Sequence, residues 1–265
     1  MEKDRLENKK IAIIGAGHMG QAIIKGLISS GKIKPSNIFI SNKLNNVAIT
    51  KKAHYIFITV KPLTVKEVLH EIKPFIENKI ILSVAAGVSL KMLLSYSNIN
   101  QKIIRMMPNI PVSINKGVIG FFANKNVIYS EHNNVMQLIT LLGKVFVVKK
   151  EADLDVLTLI AGCGPAISAY FINFLSNYAI SQSFSQAKSI DMALKIFEGT
   201  TDYLMRSNLT PSELIKSVAT KGGVTEVILD SLNAEKVDLL FKKAMKKGSN
   251  QIGQLKKVLK TCCQI

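Results

Sequence analysis

Two glycine-centred segments combine residue types and spacings that can do chemistry. The first is Thr210 to Leu232, TPSELIKSVATKGGVTEVILDSL. Thr210 is a good N-cap, Pro211 suits a first helical position, and Glu213 completes a capping box. The helix is expected to stop at Gly222-Gly223, because adjacent glycines favour backbone angles closed to other residues. Thr225 is expected to cap the next helix, with Glu226 in its first turn. A turn feeding a helix N-terminus presents open N–H groups and the positive end of a dipole, a place to hold a small carboxylate. The plain alternative is an ordinary helix–turn–helix connection. The second segment is Gly15-Ala16-Gly17-His18-Met19-Gly20, a G-x-G-x-x-G pattern between an apolar strand, Ile11 to Ile14, and an amphipathic helix reaching about Ser30. That context suits a dinucleotide. Gly15 permits the tight turn, Gly17 lets the backbone approach a pyrophosphate, and Gly20 allows close helix–strand packing. The next strand ends Ser41-Asn42-Lys43. It carries no carboxylate for a ribose diol, and a lysine suits a 2′-phosphate, so NADPH is expected, with NADH possible.

These segments need elements to position them. Further strands are expected at 37–41, 55–60, 79–84 and 102–106, then at 118–122 and 144–148, with helices at 64–76, 89–94 and 131–142. Apolar strands alternating with helices imply a parallel sheet covered on both faces. After about Lys150 the strand signals stop, and 153–161, 165–180, 185–204, 211–218, 225–232 and 235–259 read as helices. The expected fold is therefore α/β: a Rossmann-type doubly wound sheet over 1–150, followed by an all-helical domain over 151–265. Ligands of open α/β sheets bind beyond strand C-termini. Three such loops stand out: Val60-Lys61-Pro62, Ala85-Ala86-Gly87-Val88 and Met107-Pro108-Asn109-Ile110-Pro111.

The same segments resemble the pyrroline-5-carboxylate reductase family. Its substrate loop, worded close to V-T-S-P-G-G-T-T, is matched by Val218-Ala219-Thr220-Lys221-Gly222-Gly223-Val224-Thr225. The V-K-P, A-A-G-V-S and M-P-N-T-P wordings match the three loops above, with Ile110 in place of a threonine. D-A-V-T is matched over Asp155 to Thr158, and G-S-G-P-A over Gly162-Cys163-Gly164-Pro165-Ala166. The resemblance runs from Ile11 to Leu255. It implies reduction of 1-pyrroline-5-carboxylate to L-proline, the last step of proline biosynthesis, with hydride passing from NAD(P)H to the imine carbon. By the same resemblance, the substrate carboxylate sits on the N–H groups of Gly222, Gly223 and Val224, supported by Thr220, and Thr225 is the catalytic residue that hydrogen-bonds the ring nitrogen. The cofactor contacts are expected from Gly15, Ala16, Gly17, His18, Met19 and Gly20, from Ser41, Asn42, Lys43 and Asn46, and from Val60, Lys61, Pro62, Ala85, Ala86, Gly87 and Asn109. The helical domain pairs two subunits, so a homodimer or a ring of dimers is implied, the substrate loop of one copy closing over the cofactor site of the other. Cys163, standing for a serine, reads as buried and structural. The segment 42–54 is shorter than the family's helix–strand–helix, which trims one wall of the adenosine pocket.

Bulk properties bound the remaining classes. With 265 residues and 48% hydrophobic content the chain can bury a real core. The net charge of +17 invites nucleic acid, but only Arg5, Arg105 and Arg206 among 35 basic residues are arginine, and base and phosphate recognition favours the guanidinium fork. No nucleic-acid partner is expected. Cys163, Cys262 and Cys263, with the scattered His18, His54, His70 and His132, form no metal pattern. MEKDRLENKK lacks an apolar core for a secretory signal, so a cytoplasmic protein is expected. The stretch Val156 to Ala187 has no charge, yet Gly162, Gly164, Pro165, Asn173 and Asn177 interrupt it, and a helix buried against other helices is expected rather than a membrane span. Two other functions stay open: a non-catalytic relative that binds NADP, and another dehydrogenase of the broad group. Members of the latter use a G-x-x-G-x-G-x-x-x-K-x-x-N wording that this chain lacks.

Overall fold

The computed structural model describes residues 6–42 and 44–263. Seven strands form one sheet: β1 (Ile11–Ile14), β2 (Ile38–Ile40), β3 (Tyr55–Ile58), β4 (Ile80–Ser83), β5 (Lys102–Pro108), β6 (Gly117–Ala123) and β7 (Gly143–Val147), in the order β2-β1-β3-β4-β5-β6-β7. The first five run parallel, joined by α1 (His18–Ser29), α2 (Asn46–Lys52), α3 (Val65–Ile72) and α4 (Leu90–Tyr96). The expected parallel sheet gains one antiparallel pairing at its far end. β6 pairs antiparallel with β5, and β7 follows β6 in parallel after α5 (Tyr129–Ile139). The connection between β5 and β6 is a tight turn over Ile110–Ile114, closed by Asn115 at φ 59°. A parallel return needs a dozen or more residues, so this turn can only fold the chain back on itself.

The centre of the sheet is buried on both faces because β1 and β3 are apolar throughout, and β4 is apolar as far as Ser83. On one face Ile11, Ile13, Phe57, Leu82, Ile104 and Phe121 pack against Ile23 and Leu27 of α1 and Leu138 of α5. On the other, Ala12, Ile14, Ile56, Ile58 and Ile81 meet Leu69 and Ile72 of α3 and Leu93 of α4. From β1 the chain steps to β2 on one side, and then α2 carries it across to β3 on the other. That reversal leaves a crevice at the C-termini of β1 and β3.

The chain continues through α6 (Asp153–Leu157), α7 (Gly164–Ser181), α8 (Gln186–Arg206), α9 (Pro211–Val218), α10 (Val224–Ala234) and α11 (Val237–Cys263). Between α6 and α7 the helix widens into a π turn over Thr158–Gly162, in which Cys163 N–H donates to Thr158 C=O at 3.0 Å. Strands stop near 150, but compactness divides the chain elsewhere. One unit comprises residues 1–165 with 248–265, and the other residues 166–247. The end of α11 belongs to the first unit: Leu259 is 1% exposed within the α3–α4 core, and Lys256 pairs with Asp155.

Candidate functional site

The first unit builds its site from the glycine turn. Gly15 stands at φ 107°, and an added Cβ would lie 2.6 Å from Val60 N. A Cβ on Gly20 would lie 2.1 Å from Gly15 C=O. Both positions therefore require glycine, as the pattern predicts. Gly17 differs, since a Cβ there would meet nothing within 4 Å. Its freedom is toward open space, and no side chain caps α1. The N–H groups at the start of α1 thus open onto the crevice, with the positive end of a 12-residue helix behind them. Thr59 holds the turn in place, its hydroxyl donating to Gly15 C=O at 2.5 Å and lying 3.0 Å from Ile14 C=O.

Two cavities open on either side of this turn. One, of about 850 Å³, is lined by Gly15, Ala16, Gly17, Ser41, Asn42, Asn46, Val60 and Lys61, together with Thr59, Glu67 and Glu71. Here Ser41 hydroxyl donates to Asn46 Oδ1 at 2.5 Å, and Asn46 Nδ2 donates to Glu71 at 2.7 Å. Asn46 is 5% exposed and bonded through both ends of its amide, so it shapes the wall through Ser41 and Glu71. The second cavity, of about 860 Å³, is lined by Gly17, His18, Met19, Val60, Lys61, Pro62, Ala85 and Ala86. It also includes Gln21, Met107, Pro108, Thr158, Gly162 and Cys163. The open amides, the hydroxyl–amide wall and the space on both sides fit a dinucleotide.

Of the other expected positions, one cannot be placed and three have roles in packing or backbone pairing. Lys43 lies outside the described residues. Gly87 backs onto Leu255 and Leu259 and is absent from the residues lining either cavity. Gly20 serves the packing of α1. Asn109 is buried and its Oδ1 accepts the Val118 N–H at 2.8 Å, which pins β6 to the end of β5. Cys163 is corrected: it is exposed and lines the second cavity, because the π turn rotates it out of the helix stack. Glu67 and Glu71, one turn apart on α3, were missed. Their signal was the pair of acids spaced by four after Val60-Lys61-Pro62.

The second unit holds the Gly222-Gly223 turn. The Thr210 capping box forms as expected, and hydrogen bonds from the Thr210 N–H and hydroxyl hold the Glu213 carboxyl below its usual range. Gly222 is left-handed at φ 76°. The cap of α10 is corrected: Gly223 is the N-cap, and Thr225 is the second helical residue. Gly223 donates to Thr220 C=O at 2.9 Å, and Thr220 Oγ1 lies 2.7 Å from where a Gly223 Cβ would stand. Gly222 N–H donates to the Glu226 carboxylate at 2.6 Å. The first amides of α10, at Val224 and Thr225, have no hydrogen-bond acceptor among the described residues. The Thr225 side chain lines a cavity of about 550 Å³ with Tyr203, Ile215 and Leu229, entirely within this unit. The exposed face of α7 is apolar, with Tyr170, Phe171, Phe174, Leu175 and Tyr178 open to solvent. The run 153–181 is long and apolar enough to cross a bilayer by length and composition, and 6% of its most apolar window is buried.

Comparison with known proteins bears on both units. A family model described as pyrroline-5-carboxylate reductase dimerisation matches residues 151–255, and one described as NADP oxidoreductase coenzyme F420-dependent matches residues 10–53. The chain is 31% identical to a pyrroline-5-carboxylate reductase of Aquifex aeolicus, over 82% of this chain and 86% of that protein. It is 29% identical to pyrroline-5-carboxylate reductase 2 of Bacillus subtilis, over 84% and 87%. A crystal structure of the Plasmodium falciparum pyrroline carboxylate reductase with NADP bound superposes with a TM-score of 0.89, at 26% identity over 94% of this chain and 99% of that one.

Proposed function

We propose, for a chain that belongs to the pyrroline-5-carboxylate reductase family, a division of labour between the glycine crevice of the first unit and the Gly222–Thr225 turn of the second. The enzyme reduces 1-pyrroline-5-carboxylate to L-proline with NADPH, the last step of proline biosynthesis, and works in the cytoplasm. The cofactor supplies the hydride. The residues of this chain bind and orient. The amides at the start of α1 receive the pyrophosphate, with Gly15 and Gly17 allowing its approach. Ser41, Asn42 and Lys43 take the adenosine ribose and its phosphate, and Asn46 holds that wall through Ser41 and Glu71. Val60, Lys61, Pro62, Ala85 and Ala86 bound the nicotinamide end, with His18 and Met19 beneath it.

The substrate carboxylate is received by the open Val224 and Thr225 amides at the positive end of α10, with Thr220 beside them. Gly222 joins that group once Glu226 moves aside. The Thr225 hydroxyl makes no hydrogen bond among the described residues, so it is available to the ring nitrogen. A protonated imine is already a good hydride acceptor, and holding the ring in attack geometry is then the main contribution of the protein. The observation that carries this reading is that each unit has its own glycine turn at a helix N-terminus, one before α1 and one before α10.

The apolar face of α7 is the surface that a second copy covers, and a homodimer or a ring of dimers follows. In it, the substrate turn of one copy serves the cofactor crevice of the other. The direct test is NADPH oxidation on adding 1-pyrroline-5-carboxylate, with proline as product. NADPH binding without turnover would make this a non-catalytic relative instead.

A further inference from the structure

The loop Ala85–Ser89 joins β4 to α4 and supplies two of the walls of the second cavity, Ala85 and Ala86. What holds this loop lies outside it. Behind it, Gly87 at φ 77° rests against α11, where an added Cβ would come within 3.1 Å of Leu259 and 3.2 Å of Leu255. At its end, Leu90 N–H donates to Glu151 Oε1 at 2.5 Å. The same oxygen receives Arg105 Nη1 at 2.6 Å. Arg105 sits on β5 and is 3% exposed. A buried guanidinium needs a counter-charge, and here that charge comes from the segment that leaves β7. The Ser89 hydroxyl also caps α4, but its bond to Met92 N–H is long at 3.3 Å. Glu151 makes the shorter contact with the start of the helix, and Arg105 fixes where that carboxylate stands.

We propose that Arg105 and Glu151 are positioning residues for the nicotinamide wall: the pair grips the Leu90 N–H and so sets Ala85 and Ala86 against the cofactor. This rests on the second cavity being the nicotinamide seat. Neither residue touches the cofactor; both act through the loop. A bond from a charged acceptor to a backbone amide is among the stronger hydrogen bonds, and its loss is expected to loosen one end of the cofactor only.

The test removes that single N–H. Leu90 is the first residue of α4, follows an extended Ser89, and therefore accepts proline without breaking the helix. Leu90→Ala serves as the control for the lost side chain. Calorimetry would follow two ligands: NADPH, and an adenosine bisphosphate that reproduces the half of the cofactor remote from the nicotinamide. Leu90→Pro is expected to weaken NADPH roughly tenfold and Leu90→Ala no more than about twofold, with the bisphosphate unchanged in both. Equal effects of the two substitutions, or parallel weakening of both ligands, would overturn the proposal. Should Leu90→Pro fail to fold, Glu151→Gln carries the same comparison: weakened NADPH with unchanged bisphosphate supports the grip, and any other pattern refutes it. Wild-type protein that ignores NADPH altogether would instead sink the cavity assignment, and the grip with it.

Discussion

At the scale of single residues, Thr225 and Glu226 test the proposed substrate turn. Were Thr225 the helix cap, replacing it would cost stability, about 1 kcal/mol for a lost cap. Gly223 holds that position instead, so Thr225→Val is expected to leave the melting temperature unchanged. Its kcat/KM should fall roughly tenfold, the worth of one hydrogen bond to the reacting ring, and Thr225→Ser should restore most of it. A matching loss of thermal stability would return Thr225 to a structural role. Glu226 occupies the Gly222 amide with its own carboxylate, and on the proposed reading a substrate carboxylate would meet both competition and like charge there. Glu226→Gln keeps the shape and removes the charge. We expect a severalfold lower KM for the substrate at low salt, with kcat unchanged, and a difference that closes in concentrated salt as screening removes the repulsion. A higher KM would mean that Glu226 orders the turn for binding rather than competing with it.

At the scale of elements, the glycine turn between β1 and α1 separates folding from binding. Gly15 combines φ 107° with the Val60 backbone at 2.6 Å from any Cβ. Gly15→Ala must therefore strain the turn by on the order of 1–3 kcal/mol or displace β3, and a lower melting temperature is expected along with lost NADPH binding. Gly17 has open space in front of it, so Gly17→Ala should keep the fold, fill the cradle, and weaken NADPH at least roughly tenfold. Thermal melts beside a fluorescence titration of NADPH distinguish the two. Equal melting losses at both positions would contradict the geometry. The glycine pattern was legible in the sequence because an apolar strand and an amphipathic helix flanked it. The wall of Ser41, Asn46 and Glu71 was only partly legible, since Glu71 reaches Asn46 from a helix 25 residues further along the chain.

At the scale of the whole molecule, the question is how many chains make one site. The helical region matches a dimerisation family, and α7 leaves a row of aromatic side chains exposed. A charge in that row, Phe174→Glu, is expected to yield monomers by sedimentation and to abolish turnover, because an apolar face of this kind is stable only when covered. Mixing two impaired variants tests the shared site. If the turn of one copy serves the crevice of the other, co-refolded Gly17→Ala and Thr225→Val chains regain about a quarter of wild-type activity, since each heterodimer contains one intact pairing. Activity no greater than the mean of the two parents would mean that each chain completes its own site.

The sequence by itself determined the order of elements, the glycine crevice, the capping box at Thr210 and the family, because these depend on residue types close together in the chain and on periodicity. Tertiary structure decided the reversal of β6, which follows from a connection too short to cross over. It decided the exposure of Cys163 on a π turn and the return of α11 to the first unit, where Leu259 completes a core begun by strands. It also moved the cap of α10 from Thr225 to Gly223, and it gave the Gly222 amide to Glu226. Each of these rests on which backbone groups and side chains meet after packing, and such meetings leave no mark on local patterns of residue type.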